Sequence, residues 1–597
     1  MPMITGAFSF DRRPTMPGDW DHRETGLGLS QTGTPVWTHC SSRGPIVSPR
    51  APLVLAWDGR IDNREDLLLR LGQHDLLDDE IVLAVFERWG VAGFESLVGD
   101  WSLALWDRPH RTLHLARDYM GARPLFYYAD HESVQWSTDL PELIVRCGRT
   151  EALSDAFVAH FMSLRPAPAL TPYEGVHAIR PGTCLSFGSS GGVSARRLWT
   201  LRAGQIRFTN HRRYEEELRA LWRDAVRARL RTGGVVWAEL SGGLDSSSVA
   251  CMADRAIRRG DVAARSLRLV SHATLHSPEG DERRFIAEVE RRVGVSSEIV
   301  GVEDNQNCAD PERAWATPYA LQDVGLAMVR RVRAGGGRVI LSGRLGDAIM
   351  GCQPDNSEAV FDDIASLDLP AAVRKLRAWS RATRKPFVEL AWKLLVRPTT
   401  ANEPGTSLLA SRLRAMLAGA SALDEPEAIR ASKRTLARLV LGYASGGRLD
   451  IPLQPPDVVY TYPFAHRPLV EFVLAIPGEQ LATPGVTRSL MRRAFAGLLP
   501  TRVLNRQSKG YYPPSAFRVA RRHAIALGDV VQLESVQRGW IDANSLRQEL
   551  RAFLDGGGQT GIAIHFVLRL ERWLESRRRR AEIPEAKEVK SHAVLNA

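Results

Sequence analysis

The chain has 597 residues, 44% of them hydrophobic and 25% charged, which supports more than one packed core and excludes wholesale disorder. The formal net charge of +11 is scattered over apparent helices (Arg223, Arg227, Arg229, Arg231) and a closing Arg577–Arg580 run; no aromatic-basic signature accompanies it, so no nucleic-acid partner is expected. No apolar run approaches the ~20 residues of a membrane span, the start MPMITGAFSFDRR lacks a signal-peptide pattern, and the six cysteines form no CxxC pair; these features predict no membrane span, free thiols and a reducing, cytoplasmic setting.

Residues 1 to about 205 read as β-rich. Leu53–Trp57, Trp101–Trp106, Leu113–Ala116 and Leu125–Tyr128 are short apolar segments between turn signals, whereas Leu76–Trp89 has helical apolar spacing. The mixture predicts a sandwich of sheets with helices packed against it, a loop at Phe187–Gly192, and a boundary near 205–212. From about 213 the texture changes. Tyr214–Leu230 places Leu218, Leu221, Trp222, Ala225, Val226 and Leu230 on one helical face. A strand at Val235–Leu240, a helix, a strand at Leu267–Ser271, a helix over Asp281–Val293 (burying Phe285, Ile286, Val289 and Val293) and a strand at Arg338–Leu341 follow. Alternating strands and helices with glycine at strand ends indicate a parallel, doubly wound sheet with a crevice at its carboxyl edge. After about residue 360 the chain reads as mostly helical. The expected division is 1–208, 209–575 and a mobile basic tail, 576–597.

Two strand ends carry chemistry. The first is Ser241-Gly242-Gly243-Leu244-Asp245-Ser246, entered from Leu240. A strand, a glycine turn and a helix start make an anion site, because backbone N–H groups converge where the helix dipole is positive. No lysine follows the glycines, so this is not the GxxxxGK[ST] loop. The second is Ser342-Gly343-Arg344-Leu345-Gly346-Asp347, which brings another carboxylate to the same sheet edge. The alternative is a turn with a capping Asp.

The first loop resembles the PP-loop of ATP pyrophosphatases, and most of the chain resembles the asparagine synthetase family. Asp58–Asn63 looks like its NGEIYN turn. Gly99–Trp106, Leu115–Asp118 and Gly121–Tyr128 look like its GxFAFAxWD…LARDxxGxKPLYY run, and Gly175–Gly182 like the segment before its linker. In the second half the PP-loop, Asp281-Glu282, Ser342–Asp347, Tyr462-Pro463-Phe464 with Leu469–Phe472, and Leu499-Pro500 with Arg506 and Lys509-Gly510-Tyr511 fall in family order. The resemblance implies an Ntn-type, glutaminase-like β-sandwich ahead of a PP-loop domain with a helical extension. It further implies ATP and Mg2+ as cofactors: Leu240, Ser241, Gly242, Gly243, Asp245, Ser246, Ser342 and Gly343 around ATP and pyrophosphate, Asp245 and Asp347 on magnesium, and Lys509 as the catalytic cation.

The departures narrow this. Glutamine-dependent members carry Cys after the initiator Met, and Pro2 stands here; the family Asn that donates to the amide oxyanion is Asp58. Both losses argue against glutamine hydrolysis. The position aligned with the Tyr of β-lactam synthetases is Arg344, and Ala348 replaces the Glu after Gly-Asp. Lasso peptide cyclases resemble the chain in lacking the N-terminal Cys, in a Gly-Asp motif without the following Glu, and in a longer helical second half. The resemblance thus implies an AMP-forming ligase that closes a macrolactam in a linear lasso core peptide, with a leader peptidase and a leader-recognition protein as partners. A β-lactam synthetase or other small-molecule amide ligase, an ammonia-dependent asparagine synthetase, and a non-enzymatic scaffold are the alternatives. His466 is a candidate general base with a structural role favoured, and Trp315, Trp379 and Trp392 are candidate walls of a peptide pocket or core.

Overall fold

The computed structural model describes residues 4–10, 36–38, 45–165, 169–201, 204–275, 281–302, 304–305, 310, 313–320, 323–351, 357–395, 405–419, 431–444, 458–506, 521, 525, 527–556 and 562–582. Pro2 and Lys509 lie outside them. The first half is a sandwich of two antiparallel sheets. One has the order β2-β1-β8-β7-β9, with β1 Thr5–Ser9, β2 Val36–Thr38, β7 Phe126–Ala129, β8 Ser133–Ser137 and β9 Val176–Ala178. The other has the order β11-β10-β6-β5-β4-β3, with β3 Ile46–Val47, β4 Leu53–Ile61, β5 Gly99–Asp107, β6 Thr112–Arg117, β10 Thr183–Gly188 and β11 Val193–Arg197. The expected strands all form, and Phe187–Gly192 divides into the end of β10 and a hairpin turn to β11.

Alternation explains the layers. Phe8 of one sheet meets Trp106 of the other, ring centroids 4.8 Å apart, in the core between the sheets. Leu55 of β4 and its partner Leu105 of β5, with Leu103, face outward and are covered by helices Arg64–Leu71 and Asp78–Trp89. On the far side, helix Asp155–Ser163 packs against elements from the other end of the chain, among them Leu408, Trp540 and helix Ile562–Glu582. The first half therefore completes its core with the last helix.

That packing corrects the expected tail. The helix runs through 576 to Glu582, with Arg577 and Arg580 over aromatic rings and Arg578 and Arg579 exposed and paired with Glu534 and Glu575. Arg577 donates to Thr150 O at 2.5 Å and lies over Trp573 (5.6 Å), and Arg580 lies 4.2 Å over Trp315. Trp315 and Trp379 are each 3% exposed and belong to cores; Trp392 is 64% exposed.

The second half holds a five-stranded, wholly parallel sheet: β12 Gly234–Glu239, β13 Ala264–Ala273, β14 Ser297–Gly301, β15 Val339–Leu341 and β16 Val459–Thr461. Its order is β14-β13-β12-β15-β16. Growth away from β12 runs one way through β13 and β14, then reverses to β15 and β16. Helix His211–Arg227 buries Tyr214, Leu218, Trp222, Ala225 and Val226 as the apolar spacing predicts. In helix Arg283–Val293, Ile286, Val289 and Val293 are buried but Phe285 is only partly so, since it lies under the Gly242 turn.

The halves meet through a buried charge network. Arg60 pairs with Asp62 (2.7 Å) and Asp100 (2.9 Å), and Arg229 reaches the remaining oxygen of each at 3.3 Å. His466 Nδ1 lies 3.1 Å from Asp62 Oδ2, so the candidate base is spent at this interface. Burial alone would raise both carboxyl pKa values, but Arg60 and Arg229 outweigh it, holding Asp62 well below the usual carboxylate range and lowering Asp100 as well.

Two outcomes follow. Arg577→Ala is expected to lower the thermal midpoint by a few degrees, about 1–2 kcal/mol, whereas Arg579→Ala, whose side chain is 76% exposed, leaves it unchanged. Because the Asp62 pKa is depressed on folding, its contribution is complete above the unfolded value of about 4 and fades only as pH falls below it. The gap in thermal midpoint between wild type and Asp62→Asn should therefore stay constant from about pH 8 to pH 5 and narrow at lower pH.

Candidate functional site

Reversal of strand order between β12 and β15 leaves a crevice between two carboxyl strand ends, the usual ligand position in an open α/β sheet. Leu240, 1% exposed, extends the first end, its N–H bonded to Val270 O at 2.9 Å. Gly242 then turns at φ +67°, where a Cβ would come 2.6 Å from Phe285 Cβ; the position needs glycine on both counts. Gly243 starts helix Leu244–Arg258, and no side chain caps it, which leaves its first-turn N–H groups to a ligand. Ser246 Oγ accepts from Ser241 N–H (3.1 Å), lies 3.0 Å from Ser241 Oγ and donates to Gly243 O (3.3 Å), so the loop is braced from within.

The second strand end is pressed against the first. A Cβ on Gly343 would sit 2.6 Å from Ser246 N, and one on Gly346 would sit 2.5 Å from Asp245 Cγ. Between these glycines Leu345, 4% exposed, is held at φ +72°, a left-handed conformation that a branched side chain rarely adopts. Ser342 is fully buried, its hydroxyl donating to Glu239 Oε2 at 2.5 Å. It can border a ligand through its backbone, but that hydroxyl is already committed.

Asp245 and Asp347 converge, as the motifs predict. What they converge on is the guanidinium of Arg488, 3.0 Å from Asp245 Oδ2 and paired also with Asp347. Arg488 is 7% exposed and has φ +54°, a second left-handed residue at the same place. Sequence reading missed it. A basic residue before the Ser489–Ala494 helix is an ordinary sight, and only the fold brings it to the carboxylates. Arg506 was placed in the family order without a role. It donates to Gly242 O at 3.1 Å, pairs with Glu282 and covers the Phe285 ring at 4.2 Å, clamping the glycine turn.

Two carboxylates sharing one cation fit a hard divalent ion, which takes one or two protein carboxylates and draws its other oxygens from phosphate and water. Among the described residues no group of three or more His, Cys, Asp or Glu could cage a metal; phosphate and water oxygens suit the remaining positions of such a shell. Two buried arginines, uncapped helix N–H groups and two carboxylates suit a polyphosphate with a bound cation.

In the first half Asp58 is 1% exposed and 3.8 Å from Arg123; burial pushes its pKa up, with Arg123 opposing. Burial also pushes the thiols of Cys147 and Cys184 up to about 12, which leaves neither a ready nucleophile.

An antiparallel, helix-covered sandwich joined to a parallel sheet with an anion loop at its switch point defines a two-domain protein of amidotransferase–synthase type. Residues 10–199 match the glutamine amidotransferase domain profile and residues 217–575 the asparagine synthase profile. The chain belongs to the asparagine synthase family. It is similar to asparagine synthetase (glutamine-hydrolyzing) 3 of Bacillus subtilis, 25% identical over 498 residues that cover 76% of this chain and 75% of that protein. Amidase chry2 of Gibberella zeae is 26% identical over 299 residues (46% of this chain, 43% of that one). A putative glutamine-hydrolyzing asparagine synthetase of Mycobacterium bovis is 28% identical over 330 residues (51% and 48%). The match thus spans less than half the length of these last two relatives. Among the described residues no helix is long and apolar enough to cross a membrane.

Arg488→Met should leave the two carboxylates facing each other. The expected loss is about 2 kcal/mol, below the 3–5 kcal/mol of a fully buried broken pair because the Asp347 side chain is 47% exposed. Added magnesium should raise the melting temperature of this variant more than that of wild type. Equal shifts would show that the carboxylates do not share one cation position.

Proposed function

We propose that the protein is an ATP-dependent, AMP-forming ligase that closes a macrolactam ring in a lasso peptide precursor. A side-chain carboxylate of Asp or Glu in the linear core peptide attacks the α-phosphorus of ATP, giving an acyl-adenylate and pyrophosphate. The N-terminal amine of the same peptide then adds to the acyl carbon and AMP leaves, forming the amide. The observation that carries this reading is the convergence of Ser241–Ser246, Asp245 and Asp347 at one switch point, in a chain with Pro2 in place of an N-terminal Cys.

Leu240 and Ser241–Ser246 would cradle the pyrophosphate on backbone N–H groups, and Ser342 and Gly343 would border the nucleotide. Asp245 and Asp347 would hold magnesium, which supplies charge neutralisation to the phosphate oxygens. Arg488 is then free to follow the pyrophosphate charge. Lys509, three residues beyond the Arg506 clamp, would counter the charge developing at phosphorus and carbon. Peptide folding before reaction would hold amine and acyl carbon together, so much of the rate would come from positioning.

The amidotransferase-type domain generates no ammonia on this reading. Pro2 offers no thiol, and Asp58 replaces an oxyanion donor. The linear core peptide is the substrate, and a leader peptidase and a leader-recognition protein act before it. The similarity to asparagine synthetase 3 over three quarters of both chains favours, as second reading, asparagine formation from aspartate and ammonium.

Incubation with ATP, magnesium and candidate core peptides tests both. Pyrophosphate release together with a peptide product lighter by one water is expected, with Asp245→Asn and Lys509→Met each reducing turnover by 100-fold or more, on the order of 3 kcal/mol. Release with aspartate and ammonium, and none with peptide, would replace this reading by the second.

A further inference from the structure

The amidotransferase-type domain carries buried charge on the face it turns to the synthase half. Arg60, Asp62 and Asp100 come from β4 and β5, where Arg60 and Asp100 are paired across the ladder. Arg229, His466 and Thr461 come from the synthase half. The carboxylate oxygens are used in full: Asp62 Oδ1 by Arg60, Asp62 Oδ2 by Arg229 and His466, Asp100 Oδ1 by Arg229, Asp100 Oδ2 by Arg60 and Thr461. The Arg229 side chain has no exposed surface and that of Asp62 only 1%. Taken apart, the first half would keep one excess negative charge in this set and the second half one positive. The charges balance only when the two are docked.

The network does not stop at the interface. Thr461 Oγ1 donates to Asp100 Oδ2 at 3.3 Å and lies 3.4 Å from Arg60 NH1. Thr461 ends β16, in register with Leu341 of β15, and its carbonyl accepts the N–H of Ser342 at 3.0 Å. Ser342 opens the second strand end of the crevice, and the next residue, Gly343, packs directly on Ser246 N. Three contacts therefore lead from a carboxylate of the amidotransferase-type domain to the backbone of the anion loop. β16 is the edge strand of its sheet and only three residues long, so little else in the ladder holds it.

We propose that Asp100 and Thr461 are positioning residues, through which the amidotransferase-type domain holds the Ser342–Gly343 strand end against the Ser241–Ser246 loop. The sandwich then serves the crevice as a fixed abutment: it is kept for its geometry. The two arginines and two carboxylates of the interface resist displacement because withdrawing either half strands buried charge. The inference concerns the placing of the crevice; only its activity readout rests on the ligase reading above.

The test uses the full chain and the variants Thr461→Val, Thr461→Ser and Asp100→Asn. Thr461→Val removes the hydroxyl and leaves the charge set and the β-branched strand residue intact. Amide hydrogen exchange at Ser342 is expected to speed about five- to tenfold in Thr461→Val and Asp100→Asn, to return near wild type in Thr461→Ser, and to leave Leu103–Leu105 of β5 unchanged. In peptide-dependent pyrophosphate release, kcat should fall about tenfold in Thr461→Val with the KM for ATP within about twofold, and Thr461→Ser should recover it. Unchanged exchange at Ser342 in both Thr461→Val and Asp100→Asn overturns the proposal, as does a kcat equal to wild type in an active enzyme. If the wild-type protein releases no pyrophosphate, the ligase reading fails and the exchange result decides this one alone.

Discussion

Contact between the carboxyl ends of β12 and β15 is the constraint on which the rest of the second half depends. Parallel strands that grow outward in opposite directions must leave a gap where their connections part. Here the gap is narrow: Gly343 lies against the Ser246 backbone and Gly346 against the Asp245 side chain, too close for any Cβ. The two strand ends act as one surface, with uncapped helix N–H groups on one side and the Asp347 carboxylate on the other. Leu345 and Arg488 are both held in left-handed conformations beside it, and that local strain is sustained by the burial of their side chains.

Arginine resolves much of the charge that this arrangement and the domain interface bury. Arg488 answers Asp245 and Asp347, Arg506 answers Glu282 and the Gly242 carbonyl, and Arg60 and Arg229 answer Asp62 and Asp100. Arg577 and Arg580 cover aromatic rings where the last helix joins the first domain. A planar guanidinium that makes several bonds while remaining charged suits each of these places better than an ammonium would. The arginines paired with carboxylates add nothing to the net charge of +11, since each is balanced where it is buried.

Local signals in the sequence carried the frame well. Apolar alternation marked β4 to β7, the spacing of Leu218, Trp222 and Val226 marked the helix that backs the parallel sheet, and glycine after an apolar run marked both strand ends of the crevice. What stayed hidden depends on contacts far apart in the chain. Three-residue β16 is too short to leave a periodic trace, yet it ties the crevice to the first domain. Arg488 lies 243 positions from Asp245, and nothing in TRSLMRR distinguishes it from the many exposed arginines. Phe285 has the spacing of a core residue and is diverted by the Gly242 turn above it. Arg577 and Arg580 read as solvated because two of the rings that receive them, Tyr173 and Trp315, lie more than 250 residues upstream.

The Asp58–Asn63 turn shows how two kinds of departure from a family pattern can mean different things. Asp58 sits where the family pattern has Asn, buried 3.8 Å from Arg123, and burial raises its carboxyl pKa against that guanidinium. Arg60 and Asp62, in the same turn, stand where the pattern has Glu and Tyr, and they form half of a closed ion network with the other domain. On the proposed reading the first substitution costs a chemical capacity, while the others add cohesion. Cohesion at this turn is what a domain acting as an abutment would require, since its value then lies in where it holds Thr461.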